Sequence, residues 1–176
     1  MNENKYELII FKDVNIAYKH PDYTSFVLGE FQNNGKKLLE IIYMKDLYER
    51  INKHCAAVTR PSGIDIFVSE SFLDKYINKP DIFKSLMFHE LGHFVNGDLN
   101  EENLKNINNR NNYIETGIVC EMEVKADAFA CKHVGKDAYI FALQNLIIDR
   151  INRNDEIAVF AVKELLDRIE IIKNSN

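Results

Sequence analysis

The chain has 176 residues, 46% of them hydrophobic and 28% charged. That is length for a single domain, spanning 1–176, with a sizeable core, and a composition that excludes fibrous and disordered classes. A net charge of −5 and a pI near 5.6, with scattered lysines and arginines, exclude a general binder of nucleic acid or of anionic membranes. No stretch approaches the roughly 18 apolar residues of a membrane span. The apolar run Leu8–Phe11 is too short for a secretory signal core, and no small-residue cleavage site follows it. The cysteines, Cys55, Cys120 and Cys131, are odd in number, and their spacings of 65 and 11 residues match neither a disulfide framework nor a paired zinc ribbon. Each is expected to be a small buried hydrophobe. A soluble protein in a reducing, cytoplasmic location is the expectation.

Residues 6–18 alternate loosely and are rich in Tyr, Ile, Phe and Val, which predicts one or two short strands ended by His20-Pro21-Asp22. A further strand is predicted over 24–31, with a turn at Asn33-Asn34-Gly35. The segment 37–53 is ambiguous: Leu38, Leu39, Ile41 and Ile42 suit a buried strand or a helix start, Asp46–Lys53 is helical in character, and the balance favours a helix over most of it. Two apolar runs, Ala56–Arg60 and Ile64–Val68, flank Pro61-Ser62-Gly63 and predict a hairpin. Ser71–Ile77 reads as a short helix or turn. Lys79-Pro80-Asp81 opens the next helix, since proline and an acid suit a first turn, and Asn96-Gly97 stops it. That helix carries Ile82, Phe83, Leu86, Met87, Phe88, Leu91, Phe94 and Val95 nearly all round, which predicts burial. Residues 98–112 are asparagine-rich and read as a polar surface loop. A continuous helix is expected from Tyr113 to Val134, ended by Gly135, then helices over 138–151 and 157–172 with mostly apolar stripes.

Within the buried helix lies His89-Glu90-Leu91-Gly92-His93. Residues four apart share a helix face, so His89 and His93 can each give one imidazole nitrogen to the same cation. Glu90 sits about 100° further round, as suits a base beside the metal. Two histidines and an acid in an apolar helix need partners or a metal. Catalytic zinc takes three protein ligands and keeps a position for water. Glu123 is the best third ligand. Four residues on, Asp127 shares its face and can accept a hydrogen bond from a ligand imidazole, fixing its tautomer. Glu121 is the rival ligand, on the opposite side of the helix. With zinc on His89, His93 and Glu123, water would be activated and Glu90 would carry its proton to the leaving nitrogen. Tyr113, His133, Tyr139 and Arg150 are candidate oxyanion donors, although His133, on an apolar stripe, reads better as a core residue. His20 and His54 show no partner pattern.

The His89-to-His93 motif with Glu123-x-x-Ala126-Asp127-x-Phe129-Ala130 resembles the gluzincin metallopeptidases, above all the CAAX prenyl proteases and heat-shock membrane metalloproteases. The resemblance covers about residues 60–150 and includes Gly63–Ser69, where that family has a strand leading to the active-site helix. It implies that Glu123 is the third zinc ligand and Asp127 its hydrogen-bonded support. Those relatives carry transmembrane helices. The ImmA/IrrE-type metallopeptidases, which have no membrane spans, are similar too, with Asn common where this chain has Asp127. The expected fold is α+β and zincin-like, with a small N-terminal sheet and a helical C-terminal half carrying the metal. The expected function is a zinc-dependent endopeptidase acting on protein or peptide substrates. The alternative is a regulatory zinc-binding module, such as a repressor or stress-response regulator, without catalysis. Ile64–Ser69 is the expected sheet edge for an added substrate strand.

Overall fold

The computed structural model describes residues 4–11, 26–47, 55–60, 63–99, 113–152 and 156–175. It is a mixed α+β fold in two compact units, Met1–Asn78 and Lys79–Asn176.

The first unit is a five-stranded sheet. Its strands are β1 (Tyr6–Ile10), β2 (Phe26–Asn33), β3 (Lys36–Tyr43), β4 (Cys55–Arg60) and β5 (Gly63–Val68). They lie in the order β1-β2-β3-β5-β4, with β3 and β5 parallel and the other neighbours antiparallel. Asn34 and Gly35 both have positive φ, 50° and 75°. This is the two-residue hairpin turn whose twist matches its flanking strands, and it joins β2 to β3 as expected. The hairpin of β4 and β5 is also present. Helix α1 (Glu70–Tyr76) follows, capped by the Ser69 side chain, which accepts from the Phe72 amide. Ile42, Met44, Leu47 and Phe67 form a core cluster of this unit.

Two sequence expectations fail here. Residues 37–43 are strand, not helix. Leu39 through Ile42 are all buried, and a strand covered on both sides loses the alternation that would identify it, so its apolar doublets imitate helical spacing. Ile64–Ser69 is no sheet edge. β5 pairs with β3 on one side and β4 on the other, and Ser69 belongs to the cap of α1. The edges are β1 and β4. The expected helical stretch 48–53, the possible second strand beyond Phe11, the Pro61-Ser62 turn, the loop 100–112, and His20 and His54 lie outside the described residues.

The second unit is helical: α2 (Pro80–Val95), a single turn α3 (Tyr113–Thr116), α4 (Glu121–Val134), α5 (Lys136–Ile151) and α6 (Glu156–Asn174). α2 starts at its proline and stops where Gly97 takes φ 73°. Its burial is as predicted, ten of its side chains from Ile82 to His93 being buried. The expected continuous helix from Tyr113 is broken, because Gly117 at φ 65° ends the first turn and the chain restarts at Glu121. Among the described residues no helix is long and apolar enough to cross a membrane.

α2 and α4 approach each other closely at Gly92. A Cβ there would stand 2.9 Å from the Ala126 Cα and 3.1 Å from its carbonyl oxygen. Backbone atoms cannot rotate away as a side-chain tip can. Alanine would gain about 1 kcal/mol of helix propensity against about 1–3 kcal/mol of overpacking. Gly92→Ala should therefore lower stability by up to about 2 kcal/mol in urea unfolding; a higher midpoint would show that the helices separate freely.

Candidate metal centre

The approach at Gly92 and Ala126 sets the distance between the two helices that carry donors. His89 and His93 project from one face of α2, with Nε2 atoms 3.2 Å apart. Glu123, in the first turn of α4, places Oε2 at 3.2 Å from His89 Nε2 and Oε1 at 3.5 Å from His93 Nε2. The ligating atoms of these three residues lie within 4.8 Å of one another, and the group can hold a metal ion. Both histidines are buried and Glu123 partly so. The break before Glu121 matters here. It puts Glu123 at a helix N-terminus, where the free amides and the helix dipole favour a carboxylate.

Each imidazole is fixed through its far nitrogen. His89 Nδ1 lies 2.9 Å from Asp127 Oδ1 and 2.8 Å from the Tyr139 hydroxyl, which itself donates to Asp127. His93 Nδ1 lies 2.8 Å from Asp98 Oδ2. Such contacts select the tautomer that leaves Nε2 for a cation. Asp127 is where the sequence puts it, four residues past Glu123. Asp98 went unread because it follows the helix stop. Its signal is local: Gly97 turns the chain, the Asp98 amide bonds to the His93 carbonyl at 3.0 Å, and the carboxylate comes under the ring.

The largest omission from the sequence reading is Arg168. It is buried on α6. Its Nε donates to Asp127 Oδ2 at 2.8 Å, its Nη2 to Asp127 Oδ1, and its Nη1 approaches Glu123 Oε2 at 3.1 Å. A signal was present: Arg168 stands three residues after Leu165 and four before Ile172, on the buried stripe.

The remaining candidates are placed as follows. Glu90 is half-buried on α2 beside the ligand pair. Glu121 is exposed and pairs with Lys125 at 2.8 Å, away from the group. The Tyr113 hydroxyl donates to Asp167, Tyr139 supports His89, and Arg150 lies in the last turn of α5. His133 stacks on Phe88 with centroids 5.2 Å apart, and its Nδ1 lies 2.8 Å from the Phe129 carbonyl, a packing role. The three cysteines are free and of intermediate exposure, not buried as the sequence suggests.

The electrostatics follow from this crowding. Burial alone would raise the Glu123 carboxyl, but the Arg168 guanidinium and then the two histidines override it and hold it well below the usual carboxylate range. Asp127 is likewise pushed up by burial but held at about 2 by Arg168 and His89. Burial opposes charge on His89, yet its hydrogen bonds to Asp127 and Glu123 raise it to about 9. Burial, and then the charge on His89, lower His93. These shifts favour the imidazolium at His89 and the neutral ring at His93. Comparison of the chain with family models, with curated proteins and with solved structures gives no match.

A pH dependence follows. The His89 proton contributes stability that is complete below pH 6.5, its ordinary value, and lost as pH rises through about 9. Asp127 contributes stability that is complete above 3.8 and lost as pH falls through about 2. Chelator-treated protein should therefore show a falling urea midpoint as pH rises through about 9. Cation affinity should rise over the same range, because less proton has to be displaced. A flat midpoint together with pH-independent binding would remove His89 as the proton holder.

Proposed function

We propose that the second unit carries the active site of a zinc-dependent metalloendopeptidase. The observation that carries this reading is the convergence of two buried imidazole Nε2 atoms 3.2 Å apart with one carboxylate at 3.2 and 3.5 Å, each ring held from behind by a second carboxylate. Two lone-pair nitrogens facing each other in a buried site are unfavourable unless a proton or a cation lies between them. Two imidazoles and one carboxylate are a donor set that catalytic zinc takes. The formal charges fit as well, since Asp98, Glu123 and Asp127 against Arg168 leave two negative charges for a dication when both rings are neutral. Bound zinc would supply Lewis acidity, acidifying water and polarising a carbonyl oxygen.

The chain's own groups divide the remaining work. His89, His93 and Glu123 hold the cation, and Asp127, Tyr139 and Asp98 orient the two rings. Glu90, unlike the two histidines, is half-buried. It takes one proton from the attacking water as the water oxygen adds to the peptide carbonyl carbon. It returns that proton to the leaving nitrogen as the C–N bond breaks. The His-Glu-x-x-His helix paired with a helix bearing Glu123 and Asp127 supports a zincin-like domain of the gluzincin kind, akin to the CAAX prenyl protease and heat-shock metalloprotease family or to the ImmA/IrrE type. A regulatory zinc module is the second reading, favoured by the pairing of all three donors within the cluster.

Glu90→Gln separates the two. It should keep zinc, one ion per chain by elemental analysis, while cleavage of a proteome-derived peptide library falls about 100-fold or more. Unchanged biological activity in that variant would favour the regulatory module. Absence of zinc from the wild type, with His89→Ala folding normally, would leave a polar core cluster and end the enzyme reading.

A further inference from the structure

Arg168 enters the cluster from the last helix, and the chemistry proposed above does not use it. A buried guanidinium is costly unless its donors are paired. Its Nε and Nη2 fork onto Asp127, Nη2 lies 3.2 Å from the Tyr139 hydroxyl, and Nη1 meets Glu123 Oε2 at 3.1 Å. All three nitrogens are thus engaged on the cluster, so the side chain acts on the ligand carboxylate rather than on a substrate. It makes the two Glu123 oxygens unequal. Oε2 accepts from Arg168 while also lying 3.2 Å from His89 Nε2, whereas Oε1 is turned towards His93.

We infer that Arg168 is a positioning residue for the cation site: by holding Oε2 it confines Glu123 to donating a single oxygen, Oε1. The inference rests on the reading of His89, His93 and Glu123 as a zinc centre. Its consequence is an open coordination position. A carboxylate free to donate both oxygens would occupy the place that water or a substrate carbonyl needs. The residue has to be arginine, because the fork spans both Asp127 oxygens while its third nitrogen reaches Glu123. A lysine ammonium keeps the charge but has no fixed fork.

The test uses the full chain loaded with Co²⁺, whose visible absorption weakens as its coordination number rises. Wild type should take up one Co²⁺ with an intense visible band. Arg168→Lys and Arg168→Met should still take up one Co²⁺, with the band several-fold weaker as Glu123 donates both oxygens. Bands unchanged in both variants would overturn the inference. Should neither variant fold, a crystal structure of the cobalt-loaded wild type decides: one Glu123 oxygen on the ion supports the inference, and two at equal distance overturn it. No Co²⁺ uptake by the wild type would instead sink the zinc-centre reading, and this inference with it. Peptide cleavage enters none of these readouts, so the endopeptidase reading stands or falls separately.

Discussion

The forked ion pair between Asp127 and Arg168 ties α4 to α6 inside the second unit. Either charge buried alone would cost several kcal/mol, more than most single contacts return. Buried together, with the remaining oxygens and nitrogens hydrogen-bonded, they become tolerable, and the rest of the site is built on them. Asp127 can then stay ionised and turn His89. The same guanidinium steadies the Glu123 carboxylate, and Tyr139 from α5 closes the network by bonding to both Asp127 and His89. Residues from four helices thus meet around charges that none of those helices could bury by itself.

A steric condition accompanies the electrostatic one. Donors on α2 and α4 meet because Gly92 lets the two backbones approach with Ala126 in the contact. Gly92 lies between the two histidines and Ala126 between Glu123 and Asp127. This close approach of the helices therefore lies within the donor cluster, and positions without donor atoms set the separation at which the donors converge.

Much of this was legible in the sequence. His89, His93, Glu123 and Asp127 could be grouped because helical spacing is local, and a four-residue step fixes a shared face whatever the tertiary fold. The boundaries of α2, with Pro80 and Gly97, were legible for the same reason, as was the turn at Asn34-Gly35. Contacts between distant elements were not. Arg168 stands 41 residues from Asp127, and an arginine in an apolar stripe reads as a flanking charge until its partner is known. Asp98 looked like loop, since its role depends on the left-handed turn just before it. The strand β3 was misread because its partners lie on both sides, and β5 was misread as an edge because the β3 pairing comes from 25 residues earlier (Ile41 to Ile66). For Arg168, β3 and β5 a long-range partner overrode a local pattern.

The charge arrangement also says how a cation and the fold are related. The polar groups around His89 have partners within the second unit, and a protonated His89 directs its Nδ1–H to Asp127 and its Nε2–H to Glu123. A dication would replace the Nε2 proton and meet donors whose far sides are fixed already. Small zinc modules differ, since their folding free energy is largely that of binding the metal; here the far nitrogens of both rings are held by Asp127, Tyr139 and Asp98, within the unit's own hydrogen bonding. These contacts hold the two imidazoles at 85° to each other with their Nε2 atoms 3.2 Å apart.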